Sequence, residues 1–234
     1  MNRLLTTMTS LAVGVLMLLS GVQISAAKAG NDEPSAIALL AEITPPVQIR
    51  RADKEEFVAA SKDDLLYAGD RLRCGKVGYA NVIFVDSGVE LILLPQTDLT
   101  LQGDEGDEGQ VRRMFLRLGK LLTVVINGEL DVVTGTSVAS VKGTTWWTMV
   151  DADQTTSVYV LEGDVQVENR ASGSSVIVSD GMKAITDNAG SIQVQTYQID
   201  ALPEIPPIGP AQRHLEIELK DEQGNPKKIL IEFE

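Results

Sequence analysis

Ser157-Val158-Tyr159-Val160-Leu161-Glu162-Gly163-Asp164-Val165-Gln166-Val167-Glu168 places two apolar-rich runs on either side of a Gly-Asp break. Val165 to Glu168 alternates strictly, and a period of two sends successive side chains to opposite faces of an extended chain. Val and Tyr suit a pleated, half-buried surface. Gly163 supplies the backbone freedom useful at a strand end. The stretch therefore reads as two short strands joined by a turn.

The same texture extends from Pro46 to Val194. Tyr79 to Val85 reads as a strand ended by Asp86-Ser87-Gly88, and Glu90 to Leu94 as one ended by Pro95. Met114 to Leu118 and Leu121 to Ile126 read as two strands separated by Gly119-Lys120, and Asn127-Gly128 is a turn dipeptide because both residues tolerate positive φ. Ser137 to Val141, Thr145 to Val150, Val176 to Val178 and Met182 to Ile185 complete the series. No stretch carries a sustained 3.6-residue pattern. The predicted class is all-β, a solenoid-like or rolled β-sandwich of many short strands.

The 234 residues suffice for one sizeable domain and a small appendage. Hydrophobic residues make up 44% and aromatic residues only 4%, so Val, Ile and Leu must fill most of the core. The net charge of −13 disfavours nucleic acid and anionic lipid, which need clustered Lys and Arg. A single cysteine, Cys74, excludes an internal disulfide framework and a multi-thiolate metal site. It is either a small buried hydrophobe or the source of an intermolecular disulfide.

The N-terminus opens with Met1-Asn2-Arg3 and an apolar run from Leu4 to Ile24, followed by Ser25-Ala26-Ala27 and Ala27-Lys28-Ala29. This is the pattern of a signal peptide over residues 1–29, cleaved after Ala27 or Ala29. The rival reading is an uncleaved anchor. Residues 30–42 read as a leader or one short helix, and 43–200 as the β domain. Pro203, Pro206, Pro207 and Pro210 mark a linker over 201–212. Leu215 to Leu219 and Ile229 to Phe233 flank Gly224-Asn225, which predicts a β-hairpin over 213–234. Gly103-Asp104-Glu105-Gly106-Asp107-Glu108-Gly109 is either a solvated acidic loop or a calcium site without EF-hand spacing.

The β region, from about Ile43 to Gln195, resembles the FecR-like domain family on an ordered set of motifs. Gly69-Asp70-Arg71-Leu72-Arg73 resembles the family's "GD-x-[IL]-x-T" turn and strand, with Cys74 where threonine is usual. Tyr79 to Asp86 fits the strand before a "DGS" turn, although Ser87-Gly88 reverses that order; Leu93 to Leu99 follows in place. Leu116-Arg117-Leu118-Gly119-Lys120-Leu121 resembles "L-x-x-G". Val138 to Trp146 resembles "A-x-[VI]-RGT-x-F", with Lys142 for arginine and Trp146 for phenylalanine, and Gly143 and Thr144 in place; Thr134-Gly135 departs from the usual "TP". Val158 to Val165 matches "V-x-V-x-x-G-x-V" through Gly163, and Asp180-Gly181-Met182 fits the closing turn. The resemblance implies protein contacts made outside the cytoplasm. Some members also carry a cytoplasmic sigma-regulating part; only three residues precede the apolar run here, so the expectation is an exported domain without it.

No catalytic constellation stands out. His214 has no second histidine to pair with, no G-x-S-x-G elbow occurs, Gly173-Ser174-Ser175 lacks that context, and no phosphate or dinucleotide fingerprint is present. No cofactor or metal site is expected. Trp146 and Trp147 are adjacent on a predicted strand and must face opposite ways. One belongs in the core. The other is either an exposed binding anchor or is covered by a loop or the hairpin. The sequence reading is a non-enzymatic, periplasmic or secreted envelope protein that binds or scaffolds another protein. The alternatives are a carbohydrate- or peptidoglycan-binding module using Trp146 or Trp147, and a glycan-cleaving enzyme, which needs two acids across a cleft.

Overall fold

The computed structural model describes residues 35–85, 87–102 and 113–205, and the backbone of 213–220 and 226–233. In chain order the first strands are β1 (Ala38–Thr44), β2 (Val47–Arg50), β3 (Val58–Ala59), β4 (Leu65–Leu66), β5 (Arg71–Cys74), β6 (Tyr79–Phe84), β7 (Val89–Leu93), β8 (Asp98–Gln102) and β9 (Arg113–Val125). There follow β10 (Glu129–Val133), β11 (Ser137–Lys142), β12 (Thr145–Val150), β13 (Thr156–Glu162), β14 (Asp164–Asn169), β15 (Ser175–Ser179), β16 (Met182–Thr186) and β17 (Ile192–Thr196). β18 (Arg213–Lys220) and β19 (Pro226–Phe233) pair with each other as a separate antiparallel two-stranded sheet. Among the described residues, no helix is long and apolar enough to cross a membrane.

The first seventeen strands form one hydrogen-bonded network folded into two layers. The first sheet runs β4-β1-β6-β7-β9-β12-β13-β16-β17. The second runs β3-β2-β5-β8-β9-β10-β11-β14-β15. The chain alternates between layers, mostly hairpin by hairpin, and the sheets trap one core rich in Val, Leu and Ile around Trp146. This is the rolled sandwich the alternation predicts, and it does not close into a barrel.

Both sheets contain β9. Arg113 to Leu118 pairs with β8 in the second sheet, and Gly119 to Val124 pairs with β12 in the first. The sequence reads two strands here because the inward-facing positions change phase. Met114 and Leu116 are buried before Gly119, and Leu121, Thr123 and Val125 after it. A bulge opposite Asp98 and Leu99 absorbs the extra residue at Arg117. Backbone hydrogen bonding continues through the break, so one strand results.

A further departure concerns the leader. Its last residues, from Ala38, belong to β1, and Ala38 and Leu40 are fully buried in the core. Ala38, Leu39 and Leu40 carry no polar alternation, so periodicity hides a strand that is lined on both sides by β4 and β6. The predicted signal peptide, most of the linker and the acidic loop 103–109 lie outside the described residues.

Gly119 has φ +102°, and a Cβ there would lie 2.5 Å from Thr97 Cα. Gly128 has a similar φ of +97° but no atom within 4 Å of the same position. Gly119→Ala should therefore cost about 2–4 kcal/mol, combining backbone strain with overpacking. Gly128→Ala should cost only the strain, about 1–2 kcal/mol. Urea unfolding midpoints of the two variants measure the difference; equal losses would refute a packing role for Gly119.

Candidate functional site

The motif residues lie where the chain changes sheets. Gly69 precedes β5, Gly119 is the crossing within β9, Gly143 joins β11 to β12, Gly163 joins β13 to β14, and Gly181 joins β15 to β16. Their neighbours latch one crossing to the next. Asp70 is buried, and its Oδ2 accepts from the Tyr67 backbone N–H at 3.0 Å and from Arg51 Nη1 at 2.6 Å. Thr97 Oγ1 donates to Lys120 O at 3.1 Å, and the Lys120 N–H donates back to it at 3.0 Å. Thr144 Oγ1 donates to Asp164 O at 3.1 Å. A Cβ on Gly163 would lie 3.2 Å from that hydroxyl, so this glycine makes room for the latch. Lys142 is exposed, and its 3.7 Å pair with exposed Glu129 contributes little. These residues build the roll; among the described residues they do not converge on a pocket.

Trp146 and Trp147 do face opposite ways. Trp146 is 0% exposed between the sheets and donates from Nε1 to Thr148 Oγ1 at 3.0 Å. Trp147 is 1% exposed and packs on the outer face of the first sheet with Tyr79, Ile92, Leu122 and Tyr159, against which Tyr197 and Leu202 lie. Tyr197 meets the Tyr159 ring edge-on at 5.2 Å and donates to Val160 O at 2.9 Å. Of the two alternatives left by the sequence, both indoles are buried, and neither offers an exposed platform. The signal for this lies in the segment after β17, whose Tyr197 and Leu202 are too sparse for a periodic pattern.

Sequence reasoning did not single out the sheet edges. At the N-terminal side these are β3 and β4, only two residues each. At the other side they are β15 and β17, of five residues each, which pair only with β14 and β16 among the described residues. Their sequences, Ser175-Val176-Ile177-Val178-Ser179 and Ile192-Gln193-Val194-Gln195-Thr196, contain no charge and no proline, the usual devices that protect an edge. The Asn169 N–H donates to Ser174 O, so by antiparallel alternation Ser175, Ile177 and Ser179 turn their backbone groups away from β14. The same count from Asp187 and Ser191 turns Ile192, Val194 and Thr196 outward on β17. Ile177 is 67% exposed.

A family model described as "FecR protein" matches residues 70–166. The matched span begins at Asp70 and runs through the Gly119, Gly143 and Gly163 crossings into β14. Two solved structures of a candidate anti-sigma factor from Parabacteroides distasonis ATCC 8503 are similar to this chain, each at 15% identity and a TM-score of 0.45. The likeness covers 54% of this chain and 59% of theirs, so it spans less than two thirds of those proteins. No curated protein matches the chain. The open edges lie outside the core of the FecR match, since β15 and β17 follow residue 166.

Cys74, on β5 within the matched span, is buried, and its thiol lies 3.9 Å from Leu93 O. Burial pushes the thiol up to about 12 from an ordinary 9.0. A raised folded pKa stabilises the fold fully below the unfolded value. That contribution is lost as pH rises from about 9 toward about 12. Native protein at pH near 8 should leave Cys74 unreactive toward an aromatic disulfide reagent, with full reaction after denaturation. Fast reaction in the folded state would contradict the buried placement.

Proposed function

We propose that this FecR-domain protein is an exported, non-enzymatic binding module of the bacterial envelope that joins another protein by strand addition at β15 and β17. The observation that carries the reading is the pair of uncharged edges at one side of the sandwich, which have no second strand partner among the described residues. An extended partner segment gains main-chain hydrogen bonds at Ser175, Ile177 and Ser179 and an apolar contact at Ile177. The terminal β18–β19 pair supports the same mode, because an isolated two-stranded hairpin is marginal in water and gains from a further neighbour. Export is supported by the signal-like pattern of residues 1–29. The glycan-binding alternative loses its anchor with both indoles buried.

The test uses a photo-crosslinker beside the edges of the full chain in envelope extracts. Ile177→Pro and Val194→Pro together remove two outward N–H donors at positions that make no ladder bond. The parent chain should capture a discrete protein partner, and the double variant should capture it about tenfold less. Its far-UV circular dichroism and unfolding midpoint should stay near those of the parent. Undiminished capture would refute edge binding, and recovery of glycan without protein would refute the protein-binding reading.

A further inference from the structure

The outer face of the second sheet is divided by charge. Over β2, β5, β8 and the first half of β9, the outward positions include Arg50, Arg71, Arg73 and Arg117 against one carboxylate, Asp98, while Arg113 pairs with Asp131 of β10 at 3.1 Å. Over β10, β11 and β14 they include Glu129, Asp131, Asp164 and Glu168 against one cation, Lys142. In a chain of net charge −13, the first half is a local excess of positive charge.

These guanidiniums are held in place. Arg71 grips Asp98 with two bonds, one of them Nη2 to Oδ2 at 2.7 Å, and Arg117 Nη2 donates to Oδ2 at 2.6 Å. Arg73 reaches the same oxygen only loosely, at 3.3 and 3.4 Å. Burial acts to raise the Asp98 pKa, but the bonds from Arg71 and Arg117 prevail and hold its carboxyl below the usual range, so it stays charged. The Phe57 ring organises the other side. The guanidinium carbons of Arg73, Arg71 and Arg50 lie 4.0, 5.7 and 5.9 Å from its centroid. Arg50 Nε is buried and has no hydrogen-bond partner among the described residues. Arg73 and Arg117 keep 40% and 54% of their side-chain surface exposed. One carboxylate cannot saturate this donor set, because each guanidinium carries five N–H groups. Glu55 and Glu56, exposed beside Phe57, make no ion pair with the cluster among the described residues.

We propose that this face binds an extended acidic polypeptide segment, its carboxylates pairing with Arg50, Arg73 and Arg117. Arg50 and Arg117 stand on strands three spacings apart, about 14 Å, and on a sheet face. That span suits several carboxylates along a chain better than one small ion. Bidentate pairing of guanidinium with carboxylate supplies the specificity. The Asp98–Arg71 pair already shows the contact that an incoming Asp or Glu would repeat. The surface lies on a sheet face rather than at β15 or β17, so it stands or falls apart from edge binding.

The probe is a fluorescein-labelled octaglutamate peptide, titrated with the full chain and followed by anisotropy at low and at physiological salt. Binding should be measurable at low salt and weaken as salt rises. Arg73→Gln with Arg117→Gln leaves Arg71 on Asp98 and should weaken binding at least about tenfold. Arg73→Lys with Arg117→Lys keeps the charge but loses the fork and should fall between, while Lys142→Gln should bind like the parent. The proposal is overturned if the peptide does not bind the parent chain. It is overturned equally if both double variants bind it as tightly as the parent, or if phosphatidylglycerol vesicles bind and the peptide does not.

Discussion

A strand that serves two sheets must turn within itself, and this fold rests on that turn. At Gly119 the backbone adopts φ +102° while passing so close to Thr97 that no Cβ fits. The second half of β9 then pairs with β7 and β12, and the first half with β8 and β10. Because β9 has already changed layers, the next crossing returns the chain beside its first half and in the same direction. That is why β9–β10 is parallel while the other described pairings are antiparallel. Earlier crossings through Pro46, Gly75 and Gln96 are stacked by backbone bonds, Gly75 N–H to Pro46 O at 2.8 Å and Gln96 N–H to Gly75 O at 2.9 Å. Later crossings at Gly143 and Gly163 stack through Thr144. The latches satisfy backbone groups that the strand ends would otherwise leave unpaired.

The two candidate surfaces follow from this architecture. A roll that adds strands to both layers leaves two edges at its growing side. Here neither edge is charged or shortened, in contrast with the two-residue strands at the starting side. The sheet faces are the other available surface. The outer face of the first sheet is apolar and buried around Trp147, whereas that of the second is polar and sorted by sign. The β15 and β17 edges and the arginine face therefore lie on separate parts of the molecule.

Much of the fold is legible in the residues. Thr145 to Val150 and the pair around Gly163 show runs of strand length rich in β-branched and aromatic residues, and Gly143 and Gly163 fall where the layers change. Ala38 to Leu40 does not announce itself, since a strand lined on both sides need not alternate. Met114 to Val125 looks like two strands because a bulge shifts the inward phase while the hydrogen bonding continues. The candidate surfaces are less legible than the roll. An edge is defined by the absence of a neighbour, which no local pattern records, and the arginine cluster draws on residues from Arg50 to Arg117.

By itself the sequence determined the all-β class, the strand-rich core of Val, Leu and Ile, the crossing glycines and the opposite facing of Trp146 and Trp147. These depend on periodicity and local backbone preference, which act between near neighbours. Only the tertiary structure decided that one strand joins both sheets, that Trp147 is covered by Tyr197 and Leu202, that β15 and β17 are edges among the described residues, and that four arginines meet around Asp98 and Phe57. Each of those outcomes depends on which distant segments become neighbours, and pairing register sets that only once the whole chain has rolled up.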